Sequence, residues 1–168
     1  MVKKIKVKPK TLKILRFREE AQLPERATTG SAGLDLHACI DEPMTIGAGE
    51  RVVIPTGIGI ELPGADYVAF IIARSGLGIR HGLTLSNGVG VVDSDYRGEI
   101  VVGLSNFSTE PYEMRVQERI AQMVIVPVSL LPIEEVDALS KTERGIAGFG
   151  STGRGGEEKK EEKDKKAE

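Results

Sequence analysis

Between Leu85 and Val92 the chain carries an Asn-Gly pair, Asn87 and Gly88, with apolar residues on either side. Few dipeptides constrain a backbone more. Both central positions of a type I′ turn need positive φ, which Asn and Gly adopt most readily, so the spacing predicts a tight β-hairpin. Two carboxylates (Asp93, Asp95), an aromatic (Tyr96) and a fixed cation (Arg97) follow at once. A carboxylate at a strand end can serve as a general base, and exposed main chain beside glycines can recognise a flat polar ligand. The same residue types also build plain turns. Taken alone, the stretch leaves both uses open.

The rest of the chain reads as short strands. Ile5 and Val7 alternate with lysines, and Leu12, Ile14, Leu15 and Phe17 continue beyond Pro9, which suggests an edge strand and a second strand. Eight cations precede the first acid, Glu19, which suggests either an anionic partner or, the favoured reading, a solvated sheet edge guarded by lysines against pairing with another chain. Leu34, Leu36, Ala38 and Ile40 take one face of a strand, leaving Asp35, His37 and Cys39 on the other. Further strands are expected over 50–56, 57–62 and 99–106, with a buried one over 67–72. Residues 119–126 form an inner strand that unexpectedly carries Arg119 and Gln122, and the segment 133–139 stays open between a helical turn and a loop. With 20 glycines, 8 prolines and only 4% aromatics, the composition favours an all-β fold with a Val, Ile and Leu core.

Several function classes are disfavoured. The formal net charge of −2 offers no bulk attraction for nucleic acid. One cysteine and two histidines cannot build a zinc site of the usual kind, and Cys39 alone fits a reducing, cytoplasmic setting. Lysines interrupt the apolar residues of the N-terminus, and no run is long enough for a membrane span.

Three other stretches carry polar groups suited to a ligand. The expected strand over 67–72 ends in Arg74-Ser75-Gly76, where Ser75 could cap a short helix and present backbone N–H groups to phosphate. Arg119 and Gln122 either satisfy backbone groups inside a barrel or point into a polar site. Gly148 to Gly153 formally matches G-x-G-x-x-G, but no helix follows and the Lys-Ser/Thr pair of a P-loop is missing. The longer segment from Arg144 to Gly153, glycine-rich with one aromatic, one arginine and two hydroxyls, suits a flap that orders over a ligand; the plain alternative is a linker. Residues 157–168 mix acids and lysines without apolar periodicity and read as a solvated tail.

Together and in this order, Ala32-Gly33-Leu34-Asp35-Leu36, Ala73-Arg74-Ser75-Gly76-Leu77, residues 87–99, Gln117-Glu118-Arg119-Ile120-Ala121-Gln122-Met123 and residues 144–153 resemble the ordered motifs of trimeric deoxyuridine triphosphatases, the dUTPases. The match spans roughly Lys10 to Gly153. One departure is Ala147, where the family pattern has glycine.

The resemblance implies a jelly-roll-like, distorted β-barrel of the dUTPase type with a flexible C-terminal arm. Residues 1–140 would form the barrel, 141–153 the flap and 154–168 the tail. It implies a homotrimer with active sites shared between subunits, acting on dUTP with Mg²⁺ to give dUMP and diphosphate. This would limit uracil incorporation into DNA and supply dUMP for thymidylate synthesis. By the same resemblance Asp93 activates the attacking water and Gln122 helps hold it. Arg74, Ser75, Gly76 and Gln122 contact phosphate, joined by Arg144, Gly150 and Ser151 of the flap. Asn87 and Gly90 bind uracil through main-chain groups, Tyr96 packs on the deoxyribose and Phe149 stacks on the base. Asp35 acts on Mg²⁺ through water, the ion being held mainly by the substrate's phosphates. Arg119 is expected to be structural, and Asp95 and Arg97 to serve turn geometry or subunit contacts. The nearest alternatives are a dCTP deaminase-like enzyme and a dUTP-responsive regulatory protein of the same fold. Retention of Asp93 and of the full flap argues for the triphosphatase.

Overall fold

The computed structural model describes residues 10–142 and 145–146. They fall into two units, one ending at Leu130 and the other beginning at Leu131. The first contains β1 (Lys13–Arg16), β2 (Leu34–His37), β3 (Met44–Ile46), β4 (Arg51–Pro55), β5 (Ile58–Glu61), β6 (Tyr67–Ala73), α1 (Ser75–His81), β7 (Leu83–Leu85), β8 (Gly90–Val92), β9 (Val101–Asn106), β10 (Tyr112–Met114) and β11 (Arg119–Pro127). The fold is all-β: among the described residues every strand pairing is antiparallel and there is one short helix.

Four sheets share one core. The largest has the order β2-β11-β6-β8, and a second has β4-β9-β7. Two pairs, β1-β5 and β10-β3, complete the set. Among the described residues no sheet closes on itself, so the jelly-roll-like barrel is assembled from separate sheets. Leu36, Ile46, Ile54, Ile58, Leu83, Leu104, Met114, Ile120 and Met123 are fully buried and belong to one apolar cluster. These are mostly alternate residues of short strands, as a period of two requires. β9 shows this plainly: Val102 and Leu104 are buried while Val101 is exposed.

Three local expectations need correction. The strand begun at Leu34 stops at His37, and both of its faces are covered: Asp35, Leu36, His37, Ala38 and Cys39 are all buried. Ser75 is not the helix cap. Arg74 occupies that position with extended backbone and no side-chain cap, and Ser75 is the first helical residue.

The third correction concerns the Asn-Gly pair. β7 pairs with β9 and β8 pairs with β6, so Asn87 and Gly88 do not close a hairpin but carry the chain from one sheet to another. Gly88 alone of the two has positive φ, at 73°, and its N–H bonds to the Leu85 carbonyl at 3.2 Å. Glycine therefore stands at the last position of the turn, where type I turns favour it. A type I′ hairpin needs positive φ at both central residues and strands that pair with each other, and this site has neither.

Within the second unit, the described residues form no strand or helix. Leu131, Ile133 and Leu139 are exposed, so the open segment 133–139 is irregular chain. Gly145, with φ 57°, bonds through its N–H to the Thr142 carbonyl at 3.0 Å. Arg144, Phe149, Gly150 and Ser151 lie outside the described residues, as do residues 1–9 and the charged tail.

Candidate active site

Asp35 is 2% exposed, and such a carboxylate must be partnered. Its Oδ1 accepts from Arg74 Nε and from Gln122 Nε2, each at 3.1 Å, and its Oδ2 accepts from Arg119 Nη1 at 3.1 Å. Arg74 Nη1 reaches further to the Arg119 carbonyl at 3.3 Å. Strand register makes this possible. Gln122 of β11 stands opposite Asp35 of β2 and, on its other side, opposite Ile72 of β6. Two residues beyond Ile72 the chain leaves β6 at Arg74. A bulge in β11 between Arg119 and Ala121 puts Arg119 opposite His37 while Gln122 keeps its place opposite Asp35. Gly33 leaves room for the amide, since a Cβ there would stand 3.3 Å from Gln122 Cδ.

Two guanidiniums face one carboxylate, so this knot carries surplus positive charge with an outlet to solvent: the Arg74 side chain is 23% exposed and that of Arg119 48%. Ser75 and Gly76, exposed at the start of α1, adjoin it. Such a group is suited to receive an anion. His37, on the same strand, is buried, and its Nδ1 has no hydrogen-bond partner among the described residues. Burial pushes its imidazole below the usual histidine range, against the opposing pull of Asp35 and Glu25.

The second region surrounds a pocket of about 220 Å³. Asn87, Gly90, Asp93 and Tyr96 line it, with Ile71, Leu85, Ile100 and Val102 behind them. This is smaller than the roughly 300–1,000 Å³ of sites that enclose a whole drug-sized ligand. Its apolar back and polar rim suit one flat group rather than an extended chain. Asp93 is exposed, and among the described residues no hydrogen bond engages its carboxylate.

The loop after Asp93 is held by its own atoms. Tyr96 N–H bonds to the Asp93 carbonyl at 3.2 Å, and Arg97 Nη1 donates to the Ser94 and Tyr96 carbonyls, both at 2.8 Å. Arg97 thus braces the turn. Glu99, which the sequence reading did not single out, anchors the far end: its Oε1 accepts from the Gly57 N–H at 2.7 Å. Its only sequence signal was an acid just before an apolar strand.

The fold gathers Asp35, Arg74 and Gln122 at one place and Asn87, Gly90, Asp93 and Tyr96 at another, but does not merge the two. Asp35 lies on β2 at one edge of the four-stranded sheet, and Asp93 follows β8 at the opposite edge. Strand spacing and register put the backbones of Asp35 and Val92 roughly 17 Å apart.

A sequence model described as dUTPase matches residues 19–153. The deoxyuridine 5′-triphosphate nucleotidohydrolase of Burkholderia mallei (strain SAVP1) is 49% identical over 144 residues, covering 86% of this chain and 97% of that protein. Its namesake from Ralstonia pickettii (strain 12J) is 50% identical over 143 residues, covering 85% and 97%. Among solved structures, the Staphylococcus bacteriophage 80alpha dUTPase with dUPNHPP superposes with a TM-score of 0.78 at 26% identity, covering 86% of this chain and 99% of that one. Agreement of motif order, fold and near full-length identity leaves one conclusion: the chain belongs to the dUTPase family.

Proposed function

We propose that this protein hydrolyses dUTP to dUMP and diphosphate, by attack on the α-phosphate of a water activated by Asp93. The observation that carries the reading is the state of Asp93: a carboxylate with no hydrogen-bond partner among the described residues, at the rim of a pocket fit for one flat group. A general base needs open lone pairs for the proton it takes; among the described residues both oxygens of Asp93 are unengaged, whereas Asp35 has three of its roughly four acceptor positions filled and both its oxygens committed to cations or an amide. Phosphoryl transfer asks the protein for alignment and charge neutralisation more than for covalent help. The Arg74 and Arg119 cations beside Gln122 and the exposed start of α1 supply such an environment.

Uracil occupies the pocket, against main-chain groups at Asn87 and Gly90, with Tyr96 on the deoxyribose. Cytosine exchanges the N3 donor and O4 acceptor of uracil for an acceptor and an amine, so each polar group of the wall is mispaired, at about 1–3 kcal/mol apiece. Gln122 keeps its amide nitrogen on Asp35 and turns its oxygen toward the attacking water. Arg144, Gly150, Ser151 and Phe149 of the flap close over the phosphates and the base, which excludes water from the site.

Mg²⁺ fits the donor set in one way. Among the described residues no group of three or more His, Cys, Asp or Glu side chains converges to hold a cation. Asp35 accepts three hydrogen bonds and a carboxylate offers about four acceptor positions, so Asp35 retains room for one metal-bound water. The flanking guanidiniums oppose a bare divalent ion and favour one that arrives with the phosphates. Bound there, Mg²⁺ supplies charge neutralisation along the triphosphate.

The site is completed between subunits of a homotrimer. The supporting observation is the separation across the sheet, too wide for Asp93 and the Asp35 knot of one chain to meet at one phosphorus atom. The described residues include no helix long and apolar enough to cross a membrane, and a cytoplasmic location accords with the single buried cysteine, Cys39.

Diphosphate release across the deoxy- and ribonucleoside triphosphates, with and without Mg²⁺, tests the proposal. Release from dUTP alone, dependent on Mg²⁺, is expected; ammonia release from dCTP would overturn it.

A further inference from the structure

Tyr96 is 44% exposed and sits on a loop. A ring in that setting holds one position only if its surroundings impose it. The Tyr96 hydroxyl donates to the Glu99 carbonyl at 2.9 Å, so the ring lies back across the loop. Between the two stands Gly98. A Cβ there would come 2.5 Å from the Tyr96 hydroxyl oxygen, 2.7 Å from Cζ and 3.2 Å from Cε2. The three nearest atoms it would meet all belong to this ring. The φ of Gly98 lies outside the left-handed region, so the backbone makes no demand for glycine at this position. The ring makes the demand.

We propose that Gly98 is a specificity-determining positioning residue: its missing side chain gives the Tyr96 ring its seat, and so closes the 2′ face of the sugar site against ribonucleotides. This rests on the assignment of Tyr96 to the deoxyribose. The seat is firm because the loop beneath it is tied down. Glu99 Oε1 holds the Gly57 N–H, and the Ile100 N–H holds the Ile58 carbonyl at 2.8 Å. The Gly98 carbonyl packs against Gly59, where a Cβ would stand 3.0 Å from it. When a methyl group is added at 98, the half-exposed ring is therefore the part that yields. The chain folds, and the tyrosine swings away.

The test is the ratio of kcat/KM for dUTP to that for UTP, measured for the wild type, Gly98→Ala, Tyr96→Ala and the double variant, with a thermal unfolding curve for each. Gly98→Ala is expected to lower the ratio about tenfold, the scale set by a misfitted pocket contact, with an unfolding midpoint like that of the wild type. The double variant should discriminate no worse than Tyr96→Ala alone, because two residues acting through one ring are not additive. A wild-type ratio in Gly98→Ala beside a lowered one in Tyr96→Ala would overturn the proposal and leave the role of Tyr96 standing. An unchanged ratio in Tyr96→Ala would remove that role and the proposal with it. Should Gly98→Ala fail to fold, Tyr96→Phe loosens the seat without touching position 98. Partial loss of discrimination there supports the proposal, and none overturns it.

Discussion

Two aspartates in this chain end up in opposite physical states. Asp35 is buried, accepts from three side chains and sits where β2, β11 and the end of β6 meet. Asp93 is exposed at the rim of a pocket, on a loop whose main chain is braced, and among the described residues nothing engages its carboxylate. The contrast separates two uses of the same side chain. A carboxylate whose oxygens are already taken organises neighbouring cations, and one with open lone pairs is available to take a proton.

The sharpest way to break the comparison is Asp93→Asn. Turnover of dUTP should fall about 10²- to 10⁴-fold, the usual contribution of a general base, with nucleotide binding kept. Because the Asp93 carboxylate has no hydrogen-bond or ion-pair partner among the described residues, stability should stay within about 0.5 kcal/mol of the wild type in urea denaturation. Near-normal turnover would place the base elsewhere. Asp35→Ala should show the reverse emphasis. It strands two guanidiniums and an amide, and breaking such a buried cluster costs about 3 kcal/mol, the lower end of its range because both arginines retain some solvent. A stability equal to that of Asp93→Asn would erase the distinction.

Smaller effects refine it. Among the described residues, chain neighbours aside, no atom lies within 4 Å of where a Cβ on Gly88 would stand, yet its φ is 73°. Gly88→Ala should therefore cost about 1–2 kcal/mol through backbone strain alone, read from the same denaturation curves. Gly98 is the converse case, with ordinary φ and no room, so the two glycines separate conformational from steric need.

The smallest effect concerns His37 beside the Asp35 knot. Its imidazole is held below its ordinary value of 6.5 by burial. As the pH falls through that value the unfolded chain binds a proton that the folded chain resists, so this part of the stability is complete above it and lost below. His37→Gln should flatten the acid side of a plot of unfolding midpoint against pH. An unaltered acid limb would assign the loss to other groups.

Much of the strand layout was legible in the sequence. The strands over 50–56, 57–62, 67–72, 99–106 and 119–126 follow period-two or continuous apolar runs, a signal carried by local side-chain spacing. Arg119 and Gln122 stood out because a cation and an amide interrupt an inner strand, and their expected choice between backbone groups and a polar site resolves at Asp35. The Asn-Gly turn misled, because the dipeptide reports a local φ preference and says nothing about which strands pair. Ser75 misled similarly: a side chain that can cap is not obliged to, and Arg74 took the position.

The sequence by itself determined the β character, the places where the chain turns, and which residue types carry chemistry, since these depend on neighbours a few positions apart. Tertiary structure alone decided that, among the described residues, Asp35 is partnered three times and the Asp93 carboxylate not at all. It also decided that the Asn-Gly turn joins two sheets and that Gly98 makes space for Tyr96. Each of these depends on contacts between segments distant in the chain or on the path the backbone takes through space. Burial and register arise only when strands meet, and they divided two similar aspartates into one buried among two arginines and a glutamine and one exposed at the rim of a pocket.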